Sequence, residues 1–208
     1  MKRNILTRSP LAKLLSTAAV TALLTSATSI SLAEEFPSVI NFNEANELLL
    51  PLDYREWIQV GANVSPHELN NGKAPFNEMR TIYMDRASFK HWKEKGEFKK
   101  GTFLLKEVMS ADRYKGLTGS GYAAGDIVAV AGMLKDADRF PNEPGNWGFF
   151  RYPKLENSRF FTKASAQYPT GKCSGCHVAG AQDDMVFTQH YPVLTDAKGT
   201  GLTSVPVE

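Results

Sequence analysis

The chain has 208 residues, 24 of them basic and 22 acidic, and 42% of it is hydrophobic. That length supports one domain with a sizeable core and is too short for two comfortable ones. Residues 1–33 carry Lys2, Arg3, Arg8 and Lys13 and no acid, so without them 20 basic residues face 22 acidic ones, a balance of −2 that gives no electrostatic case for nucleic acid.

The N-terminus reads as a secretory signal peptide over residues 1–33. The four basic residues form its head. Leu14 to Leu24 is an apolar stretch diluted by Ser and Thr, and Ser31-Leu32-Ala33 offers a small-residue cleavage site before Glu34. The stretch is too short and too interrupted for a membrane span, and no later segment is long enough. The expected location is the periplasm, with residues 34–208 forming a single domain.

Along that domain the pattern is mixed, with strands dominant. Asn43 can cap a short helix through Leu50, which Pro51 stops. Trp57 to Val64 reads as a strand. Asn70-Asn71-Gly72 reads as a loop. Met79 to Met84 alternates, with Arg80, Ile82 and Met84 on one face and Thr81 and Tyr83 on the other. Asp85 can cap a helix that runs to Lys95 and ends at Gly96, with Phe89 and Trp92 on one side. Thr102 to Met109 is a second alternating run in which Leu104, Lys106 and Val108 share a face. Gly116 to Gly121 reads as a loop. Asp126 to Leu134 and Trp147 to Tyr152 read as two more strands bounded by Gly and Pro. The expected fold is α+β and β-rich: an antiparallel sheet with a few packed helices. Two short helix candidates are too few for a four-helix bundle.

Cys173-Ser174-Gly175-Cys176-His177 is the motif that carries chemistry. It reads as Cys-x-x-Cys-His, the attachment site of a c-type haem. Two thiols at this spacing can each add to a haem vinyl group, and the adjacent His177 gives the iron a nitrogen ligand. A zinc site would need further ligands at ordered spacing, and the chain has no other Cys. A redox dithiol has no need of the histidine. Export suits haem attachment, because c-type maturation takes place outside the bacterial cytoplasm.

Several blocks in order resemble the cytochrome P-460 family: LLLPLDYREWIQV from Leu48, NNGKAPFNEMRTIYMD from Asn70, GEFKKGTFLLKE from Gly96, NEPGNWGF from Asn142, and Cys173 to Leu194. The resemblance implies an exported, β-rich, usually dimeric protein with one covalent haem c. It implies oxidation of hydroxylamine, or a related small nitrogen species, to nitrous oxide, with electrons passed to another periplasmic cytochrome. It also implies a lysine bonded to the porphyrin beside the two thioethers, and the matching residue is Lys106. The residues agree with that role. An inward lysine between Leu104 and Val108 is costly to bury charged, and burial favours the neutral, nucleophilic amine. A lysine reaching to solvent, or one paired with Glu107, is the plainer reading of the same residue.

Arg80 matches a family arginine near the distal side of the haem, where it would orient a nitrogen ligand or hold a propionate. Phe76, Phe103 and Phe149 are candidates for the apolar haem wall or for plain core. His67 and His91 read as surface residues, and His190 as a structural histidine. Met185 is a possible sixth ligand. One departure stands out: the resemblance implies a proton-accepting carboxylate shortly before the haem motif, but Lys163 to Lys172 contains none and offers Gln167. Glu107 and Asp126 are the substitutes to consider. Two other functions stay open: a nitric-oxide-binding protein like cytochrome c-prime-beta, without the lysine bond, and a plain electron carrier.

Overall fold

Alternation along five strands organises the domain. In the computed structural model, which describes residues 36 and 38–202, the elements in chain order are β1 (Leu48–Leu49), β2 (Ile58–Ser65), β3 (Glu78–Met84), α1 (Arg86–Lys95), β4 (Phe103–Gly116), β5 (Gly119–Lys135), β6 (Trp147–Pro153), β7 (Ala164–Ser165), α2 (Ser174–Gly180) and α3 (Pro192–Ala197). The expected signal peptide lies outside the described residues. β2 to β6 form one antiparallel sheet in sequence order, and β1 pairs with β7. The fold is α+β and β-rich, as the sequence pattern implies.

Both faces of the sheet are covered. On one, Ile82, Met84, Leu104, Met133 and Phe149 pack with Trp92, Phe98, Trp147, Tyr191 and Leu194. On the other, Phe103, Leu105, Val130, Leu134, Phe150 and Tyr152 pack with Leu48, Tyr54 and Trp57. Burying one such aromatic side chain contributes on the order of 2–3 kcal/mol. Asp85 fixes the start of α1. Its carboxylate accepts from Ser88 N at 2.8 Å and from Phe103 N at 3.0 Å, so one side chain caps the helix and holds the first residue of β4. Trp92 then stacks on Phe98 at 4.3 Å and donates to Leu194 O at 2.8 Å, tying α1 to the C-terminal segment.

Three expectations need correction. Residues 43–50 form a turn and the short strand β1, not a helix. Asn43 does bond locally, accepting from Glu47 N at 2.8 Å, but Asn46 at φ 58° turns the chain back. The helix signal at Asn43 is equally the signal of an Asx-type turn. Gly116 to Gly121 is not a loop. β4 and β5 run on through it, with Gly116 paired to Gly119 and only Leu117 and Thr118 at the tip. Trp57 stands just before β2, at the end of the 3₁₀ turn Tyr54–Glu56.

The β4–β5 pair also outruns its neighbours. Ser110 is the last β4 residue paired with β3, and Ala129 the first β5 residue paired with β6. Beyond them a two-stranded ribbon projects with most side chains exposed, Leu117 fully so.

Candidate functional site

Lys106 sits mid-sheet, paired with Ile82 on β3 and Ala131 on β5, which in turn pairs with Arg151 on β6. Residues opposite one another share a face, so the face of Lys106 also carries Arg80, Val108 and Phe149. Leu104 and Val108 flank Lys106 and are buried. Burial lowers the Lys106 pKa below the ordinary lysine value, and the nearby Arg80 guanidinium lowers it further, against the opposing charge of Glu78. The amine is therefore biased toward its neutral form.

Glu107, the next residue, points through the opposite face. Its carboxylate accepts from Tyr54 Oη at 2.5 Å and Arg55 Nε at 2.6 Å and is 5% exposed. Strand geometry keeps it from pairing with Lys106, and Asp126 is exposed on β5. Neither is a substitute carboxylate beside the lysine.

The acid that does share the face is Glu78, which the sequence reading overlooked. Arg80 Nε donates to its Oε1 at 2.5 Å, and Arg80 Nη1 donates to Ser65 Oγ at 3.3 Å. Both side chains of the ion pair are largely buried, at 20% and 17% exposure. Arg80 is thus neither a free surface arginine nor a mobile one. Asn63 pairs with Arg80 across β2 and β3 and has a buried Oδ1 with no hydrogen-bond partner. An orphaned acceptor beside a fixed guanidinium suits a site built to receive a polar group. Tyr191 closes this end. Its ring lies against Gly61, where an added Cβ would stand 2.2 Å from Cδ1. Burial pushes the Tyr191 phenol up to about 12, against the opposing pull of Arg80, so it stays protonated and able to donate.

The Cys-x-x-Cys-His segment lies at the start of α2. Cys173 immediately precedes the helix, and both thiols are free, with Cys176 exposed and Cys173 half-buried. The His177 ring sits between Phe149, at 5.0 Å, and Phe187, at 4.8 Å. Its Nδ1 bonds the carbonyl of Met185 at 2.6 Å, which leaves Nε2 as the ring nitrogen turned away from that contact. Burial and the nearby Lys106 lower the His177 pKa, against the opposing effect of the Met185 carbonyl, so the ring is held neutral, the form that ligates a metal. Burial raises the Cys173 thiol, and Lys106 opposes it. Lys106, Cys173 and His177 thus lie within electrostatic range of one another, although 67 residues separate Lys106 from Cys173, and Phe149 links the Lys106 face to the His177 ring.

The other candidates divide. Phe149 touches the imidazole. Phe103 is buried on the opposite face with Trp57, and Phe76 is 62% exposed, so neither does. Met185 offers its backbone carbonyl to His177 Nδ1, while its side chain is buried beside Gly145. His190 is exposed, its ring stacked on Phe187.

The residues fit a covalent haem. Two free thiols adjoin a neutral imidazole with one nitrogen committed, a neutral-biased lysine lies nearby, and an orphaned polar atom faces the same side. Among the described residues no group of three or more His, Cys, Asp or Glu could hold a metal ion by itself. No described helix is long and apolar enough to cross a membrane. The family model described as Cytochrome P460 matches residues 51–188, which include β2 to β6 and the whole Cys-x-x-Cys-His motif. A search of curated proteins gave no match.

Proposed function

The chain belongs to the cytochrome P460 family, and from that premise we propose that it is a periplasmic mono-haem cytochrome that oxidises hydroxylamine to nitrous oxide and passes the electrons to a separate cytochrome. The haem, when bound, supplies the redox centre and the metal to which the nitrogen substrate binds. Cys173 and Cys176 would hold it by thioethers, His177 would ligate through Nε2, and Lys106 would be joined to the porphyrin edge. The observation that carries the reading is Lys106 itself: half-buried, biased neutral, and on the sheet face whose Phe149 meets the His177 ring.

The chain's own residues supply the rest. Arg80, held by Glu78 and Ser65, presents a fixed cation to a bound oxygen or nitrogen atom. Tyr191 keeps its proton beside it. Glu78 is the acid placed to accept protons on this face, and it is already engaged by Arg80. That engagement favours a second reading, in which the same pocket binds nitric oxide with little turnover.

The test is export of the full chain in a host that matures c-type haem, followed by an absorption spectrum, peptide mass mapping and a hydroxylamine assay. A red-shifted Soret band, a haem joining Lys106 to the Cys173–His177 peptide, and hydroxylamine-dependent dye reduction support the first reading. A haem held by Cys173 and Cys176 with Lys106 free, and nitric oxide binding but no turnover, supports the second. A haem-free protein overturns both. The homodimer implied by the family is part of the proposal, and light scattering of the same preparation checks it.

A further inference from the structure

Val186 N donates to Asp183 O at 2.7 Å, closing a tight turn with Asp184 and Met185 at its centre. Both central residues have positive φ, 40° at Asp184 and 70° at Met185. Turns of that kind favour Asn, Asp or Gly at the centre, and the second place is commonly glycine. A methionine there is strained, and such strain persists only where the surroundings impose it. The carbonyl of this strained residue is the one that meets His177 Nδ1 at 2.6 Å.

What imposes the turn lies at the end of the sheet. Lys135 and Trp147 pair across β5 and β6. Lys135 Nζ donates to Asp184 Oδ2 at 2.6 Å and to Gly145 O at 2.8 Å, and Trp147 Nε1 donates to Asp184 Oδ1 at 3.3 Å. Gly145, at φ 59°, lies under the turn. A Cβ there would stand 2.8 Å from Asp184 Oδ1 and 3.1 Å from Met185 Cγ. The cation and the indole grip one carboxylate from two sides, and the glycine lets the turn settle on them.

We propose that Lys135 and Asp184 are positioning residues for the iron-ligating imidazole: by gripping the turn they aim the Met185 carbonyl at His177 Nδ1 and so set the electron donation of His177 to the haem. A firm acceptor on Nδ1–H makes the imidazole a stronger donor and favours the oxidised iron. The inference rests on His177 being the ligand of a covalent haem, as the proposed function has it.

The test uses the full-length haem-loaded protein and reads the reduction potential together with the iron–histidine stretching frequency of the reduced form. Asp184→Ala and Lys135→Met are expected to raise the potential and lower the frequency. Lys135→Arg, which can keep the ion pair, is expected to restore both toward the parent values. Asp184→Asn, closest in shape, gives a smaller shift of the same sign and serves if the alanine variant does not fold. Glu107→Ala, which weakens the opposite face of the sheet, is expected to lower stability without moving either reading. Unchanged potential and frequency in Asp184→Ala, Asp184→Asn and Lys135→Met overturn the positioning role while leaving haem ligation by His177 intact. A parent protein with no histidine-ligated haem overturns both.

Discussion

Lys106 and Glu107 are adjacent in the chain and face opposite sides of β4, the lysine toward Cys173 and His177, the glutamate into the grip of Tyr54 and Arg55. The strand thus separates a residue kept reactive from a residue kept fixed. A buried carboxylate with two donors resists displacement, and its position sets the register that turns Lys106 the other way.

The first consequence concerns the cross-link. Lys106→Leu is expected to retain haem on Cys173 and Cys176 but to lose the lysine bond, the red-shifted Soret band and hydroxylamine oxidation. Peptide mass mapping and a turnover assay read this directly. Parent-level turnover in the variant would end the proposal for Lys106.

The second is a pH effect on the haem-free protein. The folded pKa of Lys106 lies below the ordinary lysine value of 10.5, burial being the main cause. In that interval the unfolded chain binds more protons than the folded one, so stability contributed by this site rises with pH. The charged lysine is a cost below the folded pKa and ceases to be one above 10.5. Lys106→Leu should therefore be more stable than the parent at neutral pH, with the gain shrinking as pH rises toward 10.5. Urea unfolding at several pH values tests this, and a gain that is flat with pH would refute it.

A third prediction addresses the anchor. Glu107→Ala leaves the Tyr54 hydroxyl without its acceptor and frees Arg55, at a cost of about 2–4 kcal/mol. Thermal unfolding should show a drop of roughly 5–15 °C for a domain of this size, while the haem spectrum of the loaded protein stays as it was. A changed spectrum would mean that the two faces are not independent.

At Gly61 the prediction is steric. Alanine there drives a methyl group into the Tyr191 ring, 2.2 Å from Cδ1, and must shift the C-terminal segment. The expected loss is about 1–3 kcal/mol. Adding Tyr191→Ala removes the clash, so the double variant should lose less than the sum of the two single losses. Strict additivity in a double-mutant cycle would show that the contact carries no strain.

Hydrogen exchange should separate the two halves of the long strands. Among the described residues, the ribbon from Ala111 to Ala124 has no third strand beside it, whereas Leu104 to Val108 lies between β3 and β5. A two-stranded ribbon is marginal on its own. Its amides are expected to exchange much faster than those of Leu104 to Val108 in the monomeric protein. Equal protection would mean that something covers the ribbon.

Much of this was legible in the sequence, and parity explains how much. Period-two alternation places Arg80 and Ile82 on one face and Lys106 with Leu104 and Val108 on another run, and the register then joins them. The same parity could have excluded Phe103, which is odd to Lys106, and could have pointed to Glu78, which is even to Arg80. The glycines from Gly116 to Gly121 misled because a two-residue hairpin tip and a loop share a composition. The grip of Lys135 on Asp184 left no sequence signal. It joins residues 49 apart, and the positive φ of Met185 runs against residue preference.

The order of the strands has a consequence for how the protein is made. Each strand of the main sheet lies beside the one that precedes it in the chain, so the wall bearing Lys106 is complete once residue 153 is present. Cys173 comes twenty residues later and His177 twenty-four. A chain emerging from its N-terminus therefore has its lysine in place before its thiols arrive. The haem, when it is attached, would meet a sheet already paired, and the residues after the motif, Tyr191 and Leu194 among them, would be the last to close over the same face.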